Sequence, residues 1–134
     1  MMKKHTGSCL CGDVQFEVEL DPSTGSRCNC TLCTKLGATG SIVKPAAFTL
    51  LTAESALASF TRTPEIGTRF FCARCHVYVF GKGHLEQLGG DFVSVNLHTL
   101  DGFDVTRASL IHWDGRNNNW EAGPRPTPWP IASA

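Results

Sequence analysis

Apolar and polar side chains alternate from Asp13 to Leu20, which puts Val14, Phe16, Val18 and Leu20 on one face. A period of two belongs to a half-buried β-strand. Short runs with the same character recur at 41–43, 47–51, 68–71, 77–80 and 92–97. Residues 56–62 fit a strand or a short helix, and β-propensity with the following Thr63-Pro64 decides for a strand. Residues 105–111 supply a last strand or an irregular segment. No stretch shows a sustained helical period, so the expected fold class is mainly β, with short antiparallel strands.

Between these runs the chain reads as turns. Asp21-Pro22-Ser23-Thr24-Gly25 is a turn by composition. Residues 35–40 read as a loop, and 81–90 as a polar loop with at most one helical turn at 84–88. Residues 1–7 read as a frayed tail. Beyond Asp114 come Gly115, three consecutive asparagines and alternating prolines at 124, 126, 128 and 130. Such a segment cannot build a helix or a central strand, so it is expected to be extended and in places polyproline-like. The chain therefore reads as one domain over 1–134, with a core at about 7–112 and an extended tail at 113–134.

Charge removes several classes of function. The 134 residues carry 12 basic and 12 acidic side chains, for a formal net charge of zero. That balance offers no electrostatic footprint for nucleic acid or an anionic membrane. No apolar run is long enough to span a bilayer. The basic start Met1-Met2-Lys3-Lys4 has no apolar run behind it and does not read as a secretory signal. The expected setting is the reducing cytoplasm, where disulfides are rare.

The seven cysteines then need another explanation, and an odd number cannot all pair. They fall into three clusters: Cys9-x-Cys11, Cys28-x-Cys30-x-x-Cys33 and Cys72-x-x-Cys75. Thiolates are soft ligands that bind Zn²⁺ at about 2.3 Å. Four sulfurs from Cys9, Cys11, Cys72 and Cys75 would saturate one ion and contribute folding energy. The other three, Cys28, Cys30 and Cys33, would leave one tetrahedral corner open, the arrangement of a catalytic zinc. Zn²⁺ with three thiolates has net charge −1, so it should activate water poorly. Capture of an incoming thiol that ionises at the metal is the more natural chemistry.

Three segments together strongly resemble one family: Gly7-Ser8-Cys9-Leu10-Cys11-Gly12 with Val14 and Phe16, then Cys28-Asn29-Cys30-Thr31-Leu32-Cys33, then Arg69-Phe70-Phe71-Cys72-Ala73-Arg74-Cys75. It is the glutathione-dependent formaldehyde-activating enzyme family, also called the centromere protein V-like domain, and the resemblance spans residues 7 to about 105. It implies an Mss4-like fold and a zinc-binding carbon–sulfur lyase. In the named enzyme, glutathione and formaldehyde join as S-hydroxymethylglutathione. The family pattern makes Cys9, Cys11, Cys72 and Cys75 structural ligands and Cys28, Cys30 and Cys33 catalytic ones, with a small thiol such as glutathione as partner. One departure is His76, where the family usually has glycine. The competing class is a non-catalytic zinc module for a protein or small thiol, with the open site metal-poor, oxidised or closed by a histidine.

Other residues are weaker candidates. Arg27, Lys35 and Lys44 could offset the negative sulfur cluster. Among His5, His76, His84, His98 and His112, only His84 stands in a glycine-flanked segment, which makes it the best choice for contact with substrate. Glu86 and Asp91 are possible acid–base groups. Gly37-Ala38-Thr39-Gly40 could offer backbone donors to a carboxylate. Trp113, Trp120 and Trp129 all fall in the last 22 residues, and the simplest role for them is to pin the tail to the core.

Overall fold

The computed structural model describes residues 1–64 and 67–131. Among the described residues, ten strands form two sheets. The smaller sheet has the order β1-β2-β5, from Lys3–Ser8, Gln15–Leu20 and Phe48–Leu50. The larger one has seven strands in the order β10-β3-β4-β9-β8-β7-β6. Its members in chain order are β3 (Thr24–Cys28), β4 (Gly40–Val43), β6 (Leu57–Thr63), β7 (Gly67–Cys72), β8 (Tyr78–Leu85), β9 (Gly90–Asn96) and β10 (Ser109–Trp113). All pairings are antiparallel except β10 with β3. The mainly β expectation is met.

The alternating run lands where its period places it. Val14, Phe16, Val18 and Leu20 are buried against Val79, Phe80, Val93, Val95 and Leu97. Phe16, Phe48, Phe80 and Phe70 stack in sequence, with centroids 5.3, 4.6 and 4.9 Å apart. Each buried side chain of this size contributes about 1.5–3 kcal/mol. The two sheets are thus joined through an aromatic file.

Several expectations are corrected. Residues 1–7 are not a frayed tail, because β1 pairs with β2 from Lys3↔Leu20 to Ser8↔Gln15. Its polar side chains carry no hydrophobic signal; the backbone ladder supplies the order. The polar loop at 81–90 is instead the second half of β8, paired to β9 through His84↔Asp91 and Leu85↔Gly90, with a 3-10 turn only at Glu86–Leu88. A helix unforeseen in the sequence, α1 (Thr31–Leu36), begins inside the central cysteine cluster and reaches into the expected loop. The tail is not simply extended. It makes 3-10 turns at Gly115–Asn117 and Trp120–Ala122, and Arg125 bridges back to His112. The tail reading for 132–134 lies outside the described residues. Among the described residues, no helix is long and apolar enough to cross a membrane.

Candidate metal centre

Cys9 and Cys11 come from the turn between β1 and β2, while Cys72 ends β7 and Cys75 lies in the turn between β7 and β8. Some sixty residues apart in sequence, their four sulfurs lie within 4.8 Å of one another. Cys11 Sγ is 3.7 Å from Cys9 Sγ and 3.6 Å from Cys72 Sγ. A tetrahedron with metal–sulfur bonds of about 2.3 Å has sulfurs about 3.8 Å apart, so the cage fits one ion. The backbone is already arranged for thiolates. Val14 N–H donates to Cys9 Sγ at 3.3 Å, and Arg74 and Cys75 N–H donate to Cys72 Sγ at 3.3 and 3.4 Å. His76 follows the last cysteine with φ +63°, a left-handed turn where glycine is the easier residue. Cys72 is fully buried and Cys9 nearly so.

The second cluster is assembled by a strand end and a helix start. Cys28 ends β3, Cys30 is the N-cap of α1, and Cys33 sits in its first turn. Cys30 Sγ accepts from Cys33 N–H at 3.3 Å, so a sulfur takes the capping role usually given to an oxygen. The three sulfurs lie within 4.8 Å of one another. They cannot all ionise unaided. Hydrogen bonds from Cys28 and then Cys33 hold the Cys30 thiol far below the usual thiol range. In turn Cys28, then Cys30, then burial push Cys33 up, and Cys30 raises Cys28. Three thiolates at this separation require a cation, and the donor set suits a soft divalent ion. Among the described residues, no histidine, aspartate or glutamate joins this group.

The tail supports the triad in a way the sequence did not reveal. Asp114, only 4% exposed, accepts from Asn29 Nδ2 at 2.8 Å, Asn117 Nδ2 at 2.9 Å and Asn119 Nδ2 at 3.3 Å. These bonds, Asn29's above all, hold its carboxyl below the usual carboxylate range. Asn29 lies between two of the cysteines. It also accepts Arg116 N–H on its side-chain oxygen and Arg116 Nε on its carbonyl, both at 2.9 Å. The turn at 114–119 is therefore clamped over the Cys28–Cys30 segment. Gly115 packs so closely that a Cβ there would lie 2.5 Å from Cys28 Sγ.

Two cavities border the triad. The larger, about 400 Å³, is lined by all three cysteines together with Arg69, Tyr78 and Trp120 among others. The smaller, about 270 Å³, lies beyond Cys28 and Cys33 and is walled by Arg27, His112, Trp113 and Trp129. Burial pushes the Tyr78 phenol up to about 12, so it stays protonated at neutral pH. Burial lowers His112, and Arg27 and Arg125 add to the effect.

The earlier candidates divide. Trp113 and Trp120 pack as a tilted pair with centroids 5.9 Å apart and border the larger cavity. Trp129 donates to His112 O at 2.8 Å and lies under the Arg125 guanidinium at 3.8 Å. These rings both pin the tail and wall the site. Arg27 borders the smaller cavity and donates to Thr39 Oγ1 at 3.1 Å. Lys44 donates to Gly89 O at 2.9 Å. Lys35 lies in the last turn of α1. His84 is on a strand rather than in a loop, and it lines neither cavity. Its Nδ1 is 2.7 Å from Asp91 and its Nε2 3.1 Å from Glu86, which engages all three residues with one another on the surface. Of the 37–40 segment, Gly37 closes α1 with φ +65°, Thr39 is buried beneath Arg27, and Ala38 and Gly40 border the larger cavity.

Fold and site together define a mainly β protein with two sulfur clusters able to hold metal ions, one of four sulfurs and one of three that faces a cavity. A crystal structure of a Rhodobacter sphaeroides protein, a structural-genomics target, is similar to this chain with TM-score 0.66 and 24% identity, over 74% of this chain and 90% of that one. That likeness is one of fold. Residues 4–114 match the family described as glutathione-dependent formaldehyde-activating enzyme. The chain belongs to that family.

Proposed function

We propose that Cys28, Cys30 and Cys33 hold a catalytic zinc ion with one open position, that Cys9, Cys11, Cys72 and Cys75 hold a structural zinc, and that the protein is a carbon–sulfur lyase acting on a thiol–aldehyde adduct. Family membership points to glutathione and formaldehyde, with S-hydroxymethylglutathione as the adduct. The observation that carries the reading is the triad's position: three sulfurs within 4.8 Å of one another, bordering a cavity of about 400 Å³. When bound there, zinc would stabilise a thiolate and polarise a neighbouring carbonyl.

The overall change is an addition. A sulfur–carbon bond forms as the carbonyl π bond breaks, and the thiol proton ends on the former carbonyl oxygen. The chain's own groups suit that change. Tyr78, protonated at neutral pH, presents an O–H in the same cavity and can donate to that oxygen. Trp113 and Trp120 give the cavity an apolar wall that limits water. Asp114 and Asn29 fix the backbone that spaces Cys28 from Cys30. All seven cysteines are free thiols, which suits a reducing cytoplasm, the setting proposed.

Exchange spectroscopy of glutathione with formaldehyde tests this. Zinc-loaded protein should speed formation and breakdown of the adduct, and two zinc ions should bind per chain. Cys30→Ser should abolish the acceleration while retaining the zinc of the four-sulfur cage. An unchanged exchange rate with fully loaded protein refutes the activity.

A further inference from the structure

Arg69 stands on β7 directly opposite Gly81 of β8. The missing side chain at Gly81 is what lets the arginine cross the strand. A Cβ there would meet Arg69 Nη1 at 2.8 Å, Arg69 Cδ at 3.2 Å and Tyr78 Oη at 3.2 Å. The guanidinium and the phenol therefore flank one gap, and both border the cavity of the cysteine triad. Arg69 is half-buried. Among the described residues it has no ion-pair partner. Among the described residues, the cavity wall includes a second arginine, Arg62, and no carboxylate. A planar fork of N–H donors, partly withdrawn from water and facing a cavity whose described wall carries no acid, matches a carboxylate bound through two parallel hydrogen bonds.

We propose that Arg69 binds a carboxylate of the thiol substrate, so that the cavity selects anionic thiols over neutral ones of the same shape. The proposal rests on the thiol–aldehyde reading above. It adds a specificity residue on β7, outside both cysteine clusters, and gives Gly81 a purpose as the seat of the guanidinium. The sulfur end of the ligand points to Cys28, Cys30 and Cys33, and the carboxylate end to Arg69, with Tyr78 between them on the same wall.

The test uses calorimetric binding to zinc-loaded protein with three probes: glutathione, its diethyl ester, and S-methylglutathione. The ester keeps the thiol and masks the carboxylates; the thioether keeps the carboxylates and masks the thiol. Wild-type protein should bind glutathione about tenfold or more tighter than the ester, the scale of a charge-assisted bidentate contact. Arg69→Met should erase that preference by weakening glutathione and leaving the ester unchanged. Arg69→Lys, which keeps the charge and stem, should reduce the preference by about threefold or more, because a point charge replaces the fork. Retention of the four-sulfur metal certifies that each variant is folded; if Arg69→Met fails there, Arg69→Lys carries the test. A preference that is absent in wild type, or that survives in the folded variants, overturns the assignment. If S-methylglutathione binds as tightly as glutathione, and in an Arg69-dependent way, the carboxylate site stands and the thiol-capture reading falls.

Discussion

Replacing Gly115 with alanine adds one methyl group at the most crowded point beside the triad. An ideal Cβ at that position lies 2.5 Å from Cys28 Sγ, and 2.8 and 3.1 Å from ring carbons of Trp120. Comfortable heavy-atom contact begins at about 3.5 Å, so the sulfur or the turn must give way by about 1 Å. Trp120 cannot easily yield, because it packs on Trp113 and donates its indole N–H to Asn118 at 3.1 Å. The turn cannot easily lift either, since Asp114 and Arg116 tie it to Asn29. The strain therefore falls on Cys28. Metal–sulfur bonds tolerate deviations of only about 0.2 Å, and overpacking of this kind costs about 1–3 kcal/mol. Zinc affinity at the triad should drop about 10- to 100-fold, while the four-sulfur cage serves as an internal reference with unchanged affinity. Competition against a chromophoric chelator, titrated to two zinc equivalents per chain, resolves the two sites. Two equivalents bound with wild-type affinity by Gly115→Ala would refute the claim that the tail turn sets the position of Cys28.

Further outcomes follow from the same geometry. Cys72→Ser should lower the melting temperature far more than Cys30→Ser, because the cage joins the β1–β2 turn to the β7–β8 turn; thermal melts with and without chelator compare them. Asp114 has its carboxyl held low, so its contribution is fully present above the ordinary carboxylate pKa and is lost as pH falls through the lowered folded value. Asp114→Asn should flatten that acid-side decline, read from denaturant midpoints across pH. His84 is raised, first by Asp91 and then by Glu86, so its contribution is present below the ordinary imidazole pKa and fades as pH rises through the raised value. His84→Gln should remove that neutral-range slope while leaving adduct exchange at the triad unchanged, since His84 lines neither cavity.

The strands with an apolar face were legible in the sequence because burial imposes a period on side chains. Val14, Phe16, Val18 and Leu20 alternate since only one side of β2 meets the core. The cysteine clusters were legible for a different reason: sulfur spacing reflects local turn geometry, which survives without knowledge of the fold. Strand β1 left no trace, because an edge strand can be ordered by backbone pairing alone. Helix α1 was equally silent. Six residues are too few to show a period, and its capping group is a cysteine rather than a serine or aspartate.

The sequence by itself determined the three cysteine clusters, the mainly β class and the family, because each depends on residue type and short spacing. The tertiary structure decided which groups stand beside the open triad. Asp114 meets Asn29 across 85 positions, Arg69 crosses Gly81 on the next strand, and Gly115 presses on Cys28. Contacts across such separations depend on strand register and the path of the tail. No local pattern records either, so only the folded chain could place these residues at the site.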